Sequence, residues 1–198
     1  MLEYHTALRG AFFDISQPAA SADDIARYAR YIDDGVLFIY AGKIQALLPW
    51  QEGEALLDPH KGYRDLRGKL LLPGFVDAHI HYPQTEMIGA FGEQLLEWLT
   101  TYTFPVESQF ADERYAADIA RFFVNQLLSH GTTTALVFCT LHPASVEALF
   151  TEALRLNMRL LAGKVMMDRH TPEYLTETAE QSYRQTRELI QRDRKSVV

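Results

Sequence analysis

From Lys69 onward the chain alternates short apolar runs with longer amphipathic stretches, and that alternation leaves few folds open. LLLPGFVDAHI, TTTALVF and MRLLAGKVMM are apolar over roughly a strand's length, so both faces of each must be covered. The intervening stretches supply the covers. GEQLLEWLTTYT predicts a helix halted by Pro105, and DERYAADIARFFVNQLLSHG a second, with Tyr115, Ile119, Phe122, Phe123 and Leu127 on one face and Gly131 at its C-terminal cap. Pro143 opens a third, ASVEALFTEALRLN, with Val146, Leu149, Phe150, Ala153 and Leu154 at helical spacing; a last helix spans roughly Pro172 to Arg192. Strand followed by covering helix, three times over, is the signature of a parallel α/β sheet. The pattern alone suits a barrel or a doubly wound sheet.

Residues 1–68 read differently, as a small β region preceding an α/β region at 69–198. GAFFDI and VLFIYAGKIQALLPW predict strands, with Ala41-Gly42 as a hairpin turn. Between them SADDIARYARYIDDG predicts a helix: Ser21 caps it, Asp23 and Asp24 sit at its positive end, and Ile25, Tyr28, Ala29 and Ile32 share a face. Gln51 to Gly68 is polar and turn-rich, a loop or weak strand.

At 47% hydrophobic residues, 198 residues can bury a core, while a net charge of -7 offers no attraction to phosphate backbones or anionic lipid. No nucleic-acid or membrane partner is expected, and no run approaches the roughly 20 apolar residues of a membrane span. Cys139 is the single cysteine, so no intrachain disulfide forms; with no secretory leader pattern at the start, a cytoplasmic setting is expected.

The chemistry concentrates in PGFVDAHIHYPQ, residues 73–84. Residues two apart on a strand point the same way, so His79 and His81 can offer two imidazoles to one metal at the C-terminal end of a strand, where parallel α/β folds place their sites. A bare H-x-H is more often a pair of structural histidines. Asp77, on the same face, is a candidate partner behind a ligand or a strand-base packing residue. His130 beside Gly131 reads as a cap, His142 as structural, His5 and His60 as surface residues, and Cys139 as a buried thiol. Glu93 and Glu97, a turn apart beside Trp98, read as a solvated face.

PGFVDAHIH resembles the signature of the amidohydrolase superfamily, and HYPQ, FGEQLLEWLTTYTFP, GTTTALVF and KVMMDR are similar to blocks of the branch that deaminates guanine. The resemblance runs from about Leu8 to Arg192, with His170 where that branch usually carries asparagine. It implies a small β domain followed by the first three βα units of a (β/α)8 barrel. His79 and His81 would ligate one zinc ion (iron being the alternative), and His81, Tyr82, Pro83 and Gln84 would line the guanine site. The Gln84 amide, donor and acceptor at once, matches the mixed edge of a purine. The implied reaction is hydrolytic deamination of guanine to xanthine and ammonia, with a homodimer as the complete enzyme. A catalytic zinc takes at least three protein ligands; the remaining ligands and the catalytic glutamate and aspartate are expected beyond residue 198, and the chain alone is expected to be truncated and inactive. The alternatives are an amidohydrolase acting on another purine or a triazine, or a noncatalytic remnant that binds a partner chain.

Overall fold

Ala41 and Gly42 take φ angles of 49° and 75°, the left-handed pair that a two-residue hairpin turn requires. In this computed structural model, which describes residues 2–92 and 94–196, the turn joins strands of the first of two compact units, Met1–Pro73 and Gly74–Val198.

The first unit runs β1 (Thr6–Ile15), α1 (Ala22–Tyr28), β2 (Ala29–Tyr40), β3 (Lys43–Pro49), α2 (Trp50–Gly53) and β4 (Arg64–Leu71). Its sheet has the order β3-β2-β1-β4, with β2 antiparallel to both hairpin neighbours and β4 parallel to β1. Tyr4, Ala7, Val36, Phe38 and Trp50 form its core, and the Arg9 guanidinium lies 3.6 Å over the Trp50 ring while pairing with Asp34 at 2.6 Å.

Two expectations need correction here. The helix from Ser21 stops at Tyr28 instead of running to Gly35: Ala29 and Ile32 pair with Ile15 and Phe12 in the β ladder. None of the described α1 residues is buried, so packing gives no reason to extend the helix against that ladder. Ser21 does cap it, accepting from the Asp24 N–H at 3.1 Å. The apolar run from Lys69 is two strands, not one. Leu70 and Leu71 still pair with Ala11 and Phe12, and the two compact units meet along the chain at Pro73–Gly74. Pro73 lacks the N–H a continuing ladder would use, and Gly74 is tight, since a Cβ there would meet Thr133 Oγ1 at 2.0 Å.

The second unit holds β5 (Phe75–His81), α3 (Leu95–Trp98), α4 (Phe104–Ser108), α5 (Glu113–Ser129), β6 (Thr132–Phe138), α6 (Pro143–Arg155), β7 (Arg159–Gly163) and α7 (Ala179–Ser196). Its strands are parallel, in the order β5-β6-β7. Ala116, Ala120, Phe123 and Val124 of α5 pack with Val146, Leu149 and Ala153 of α6 over Ala135 and Val137 of β6. Phe122 and Leu154, expected on those faces, stay 53% and 61% exposed, so the buried stripes are narrower than the spacing suggests. The Asp112 carboxylate caps α5 by accepting the N–H groups of Arg114 and Tyr115.

Pro105 does not halt its helix. The chain passes from α3 through a wide π-helical turn at Leu99–Thr103 directly into α4, with Pro105 in the first turn of α4. Proline has no N–H to donate into the turn behind it, and the wider turn is the local adjustment that lets the helical path continue. The last helix begins at Ala179, later than expected, after a 3-10 turn at Glu173–Leu175.

Candidate metal centre and its cleft

The ladder between β5 and β6 slips between Asp77 and Ile80, after which Ile80 faces Val137 and His81 faces Phe138. At the slip the Asp77 carboxylate accepts the His79 N–H at 3.0 Å, so it holds the strand's backbone, and its oxygen is engaged there rather than with an imidazole. Beyond it the Nε2 atoms of His79 and His81 stand 3.3 Å apart. Two nitrogens each about 2.0–2.1 Å from a tetrahedral ion would be separated by roughly 3.3 Å, so the spacing of the pair suits a shared metal. Burial, then the neighbouring His79, pushes the His81 imidazole below its ordinary pKa, favouring the neutral form that a metal needs. Among the described residues no group of three or more His, Cys, Asp or Glu side chains gathers to hold an ion, so this pair is two ligands of an incomplete set.

Both rings lie against one side chain. Phe138 stacks on His81 at 4.8 Å and 18°, and meets His79 at 4.9 Å with a 48° tilt. In front of the pair opens a cleft of about 470 Å³ whose lining includes His79, His81, Gln84, Met87, Ile88 and Trp98, within the size range of small-ligand sites. The Trp98 indole N–H donates to Ala90 O at 3.3 Å and so fixes one wall.

The segment expected to line a base site divides. His81 and Gln84 reach the cleft, whereas Tyr82 and Pro83 are buried. The Tyr82 ring packs against Phe110 and Phe123 and its hydroxyl donates to Ala116 O, with burial pushing its pKa up. Its side chain is the bolt that fastens this segment to α5, not part of the cleft wall, because an aromatic ring finds more apolar contact in the core than at the cleft.

The other histidines are dispersed. His130 Nδ1 lies 2.8 Å from Gln126 O at the end of α5, where a cap was expected. His5 tilts against Tyr40, and the His60 backbone N–H donates to Asp58. His170 takes a φ of 57°, a left-handed conformation in which Asn, Asp and His are the enriched side-chain residues, so its place is explained by the backbone. Burial, then Lys164, pushes His142 below its ordinary pKa. Cys139 is buried, its thiol pushed up to about 12, and is unreactive. Glu97 is exposed, and its companion Glu93 lies outside the described residues.

Sequence reading missed three residues. Phe138 was legible only as a strand residue. Lys164 forms a buried ion pair with Glu177 at 2.7 Å, their side chains 0% and 1% exposed, and also donates to Ser182 Oγ and Val165 O. Glu107 in α4 is buried, its carboxyl pushed up to about 7 by desolvation. A lysine inside MRLLAGKVMM, in a run otherwise apolar, was the one available signal.

The model of the Amidohydrolase family matches residues 70–198. The chain is 53% identical over 186 residues to the guanine deaminase of Escherichia coli, covering 94% of this chain and 42% of that one. The solved E. coli guanine deaminase superposes with a TM-score of 0.89 over 94% of this chain and 43% of that chain. The C. acetobutylicum guanine deaminase with bound guanine in the active site does so at 28% identity and a TM-score of 0.76, covering 94% and 42%. The chain thus spans about two-fifths of the length of these relatives.

Proposed function

This chain belongs to the amidohydrolase family, and we propose that it supplies the first part of a guanine deaminase: a small β domain, then the first three βα units of a (β/α)8 barrel with half of its zinc site. The observation that carries this reading is the 3.3 Å separation of the His79 and His81 Nε2 atoms at the mouth of the cleft that Gln84 lines.

Zinc, when bound, supplies a Lewis acid that makes water nucleophilic near neutral pH. His79 and His81 would hold the ion through Nε2. Gln84 presents an amide donor and acceptor to the edge of the purine, and Met87, Ile88 and Trp98 give the flat base apolar and aromatic surface. The further ligands and the groups that move protons come from outside these residues. The substrate is guanine, the products are xanthine and ammonia, and the assembly is a cytoplasmic homodimer. The 53% identity to a guanine deaminase supports guanine over another purine or a triazine.

The test is xanthine formation from guanine by the 198-residue chain and by a chimaera in which it replaces the matching stretch of the E. coli enzyme. We expect the chimaera to be active, to lose activity with His79→Ala, and the chain alone to be inactive. A folded, zinc-loaded chimaera that prefers adenine or a triazine to guanine overturns the reading.

A further inference from the structure

We propose that Phe138 is the positioning residue of the metal centre: its ring sets the rotamers of His79 and His81 and thereby the spacing of their Nε2 atoms. The inference rests on the metal-site reading above and adds a residue to it from another strand.

His81 and Phe138 are direct cross-strand partners between β5 and β6, so their side chains leave the sheet on the same face and adjacent. His79, two residues before His81, meets the same ring. The result is one aromatic side chain within 5 Å, centroid to centroid, of both imidazoles, nearly parallel to one and tilted to the other. An imidazole turns about two side-chain bonds, and a metal-bound one is ordinarily held by a carboxylate or carbonyl on its other nitrogen. Asp77, the nearest carboxylate in sequence, accepts the His79 backbone N–H instead. What the structure provides for both rings is a flat wall. Offset stacking and edge contacts have defined geometries, so a planar side chain restricts ring rotation in a way that a branched aliphatic one does not.

Phe138 is half-buried and lies outside the apolar core of the unit, so replacing it perturbs the site more than the fold. Leu136, two residues earlier on the same face and 43% exposed, is the matched control.

The experiment measures apparent zinc affinity by competition with a chromophoric chelator for the chimaera described above and for its Phe138→Leu, Phe138→Tyr and Leu136→Ala variants, each with its thermal midpoint. In parallel, proton NMR of the metal-free chain reads the ring-current shifts of both imidazoles and their contacts with Phe138. Groups that orient metal-bound imidazoles are worth about 10–100-fold in affinity. We expect Phe138→Leu to weaken zinc by about tenfold with an unchanged midpoint and to abolish the ring-current shifts. Phe138→Tyr, which keeps the ring, should stay within about threefold, and Leu136→Ala should match the parent. Parent-like affinity in Phe138→Leu overturns the proposal while the metal site stands; so does an equal loss in Leu136→Ala. If the parent chimaera, in which the missing ligands are supplied, binds no zinc, the metal-site reading fails and the proposal falls with it.

Discussion

The second unit contains two polar clusters built on opposite terms. The Lys164 ammonium donates to Glu177, Ser182 and Val165 O, which uses each of its protons in a place without water. His79 and His81 meet nitrogen to nitrogen at a cleft, 3.3 Å apart. The first is closed within the protein: Glu177 Oε1 also accepts from the Met167 N–H, tying the segment after β7 to the start of α7, while its buried Oε2 has no hydrogen-bond partner. The second is left incomplete by the residues around it. A buried ion pair enclosed by the protein holds structure, and a pair of ligating nitrogens open to a cleft is available for chemistry.

Removing one partner of the buried ion pair should have the largest effect on stability. Lys164→Met leaves the Glu177 carboxylate buried without its cation, and we expect a loss of about 3–5 kcal/mol in denaturant unfolding. Lys164→Met with Glu177→Leu should recover much of that loss, because no charge is then stranded. Equal losses in single and double variants would refute the account.

Glu107 gives an intermediate case. Desolvation raises its carboxyl from an ordinary 4.5 to about 7, so over that interval the folded chain binds a proton that the unfolded chain has released. Stability contributed by this group is therefore full below about pH 4.5 and declines as pH rises to about 7, by about 1–3 kcal/mol. Glu107→Gln should gain on the parent by that amount at pH 8 and lose the gain at pH 5, read as the difference between two unfolding curves. A gain that does not vary with pH would exclude titration as its cause.

The smallest stability effect belongs to the open cluster. His79→Ala should change metal-free stability by no more than about 0.5 kcal/mol while reducing zinc affinity beyond the roughly 100-fold assigned to orienting groups. A destabilisation comparable to that of Lys164→Met would erase the distinction drawn between the clusters.

Much of this was legible in the sequence where periodicity and chemistry agree. Thr132–Phe138 is the strand that TTTALVF predicts, and Ser21 caps the helix it was expected to cap. His79 and His81 converge as alternation requires. What escaped reading depended on partners distant in sequence. Ala29 to Ile32 carries a helical pattern, yet β1 offered it a ladder. Tyr82 stands between two cleft residues but packs against Phe110 and Phe123, which no local pattern announces. Phe138 reads as an ordinary strand aromatic until the register with His81 is known.

The wide turn at Leu99–Thr103 makes the length of its segment a fixed quantity. A π-turn lodges roughly one more residue than an α-turn. Deleting one residue there would restore a regular helix and rotate α4 by about 100°, swinging Phe104 and Glu107, now buried, toward solvent. A one-residue deletion between Leu99 and Thr103 is therefore expected to cost more stability than one in an exposed loop such as residues 59–63, read as the difference between their thermal midpoints.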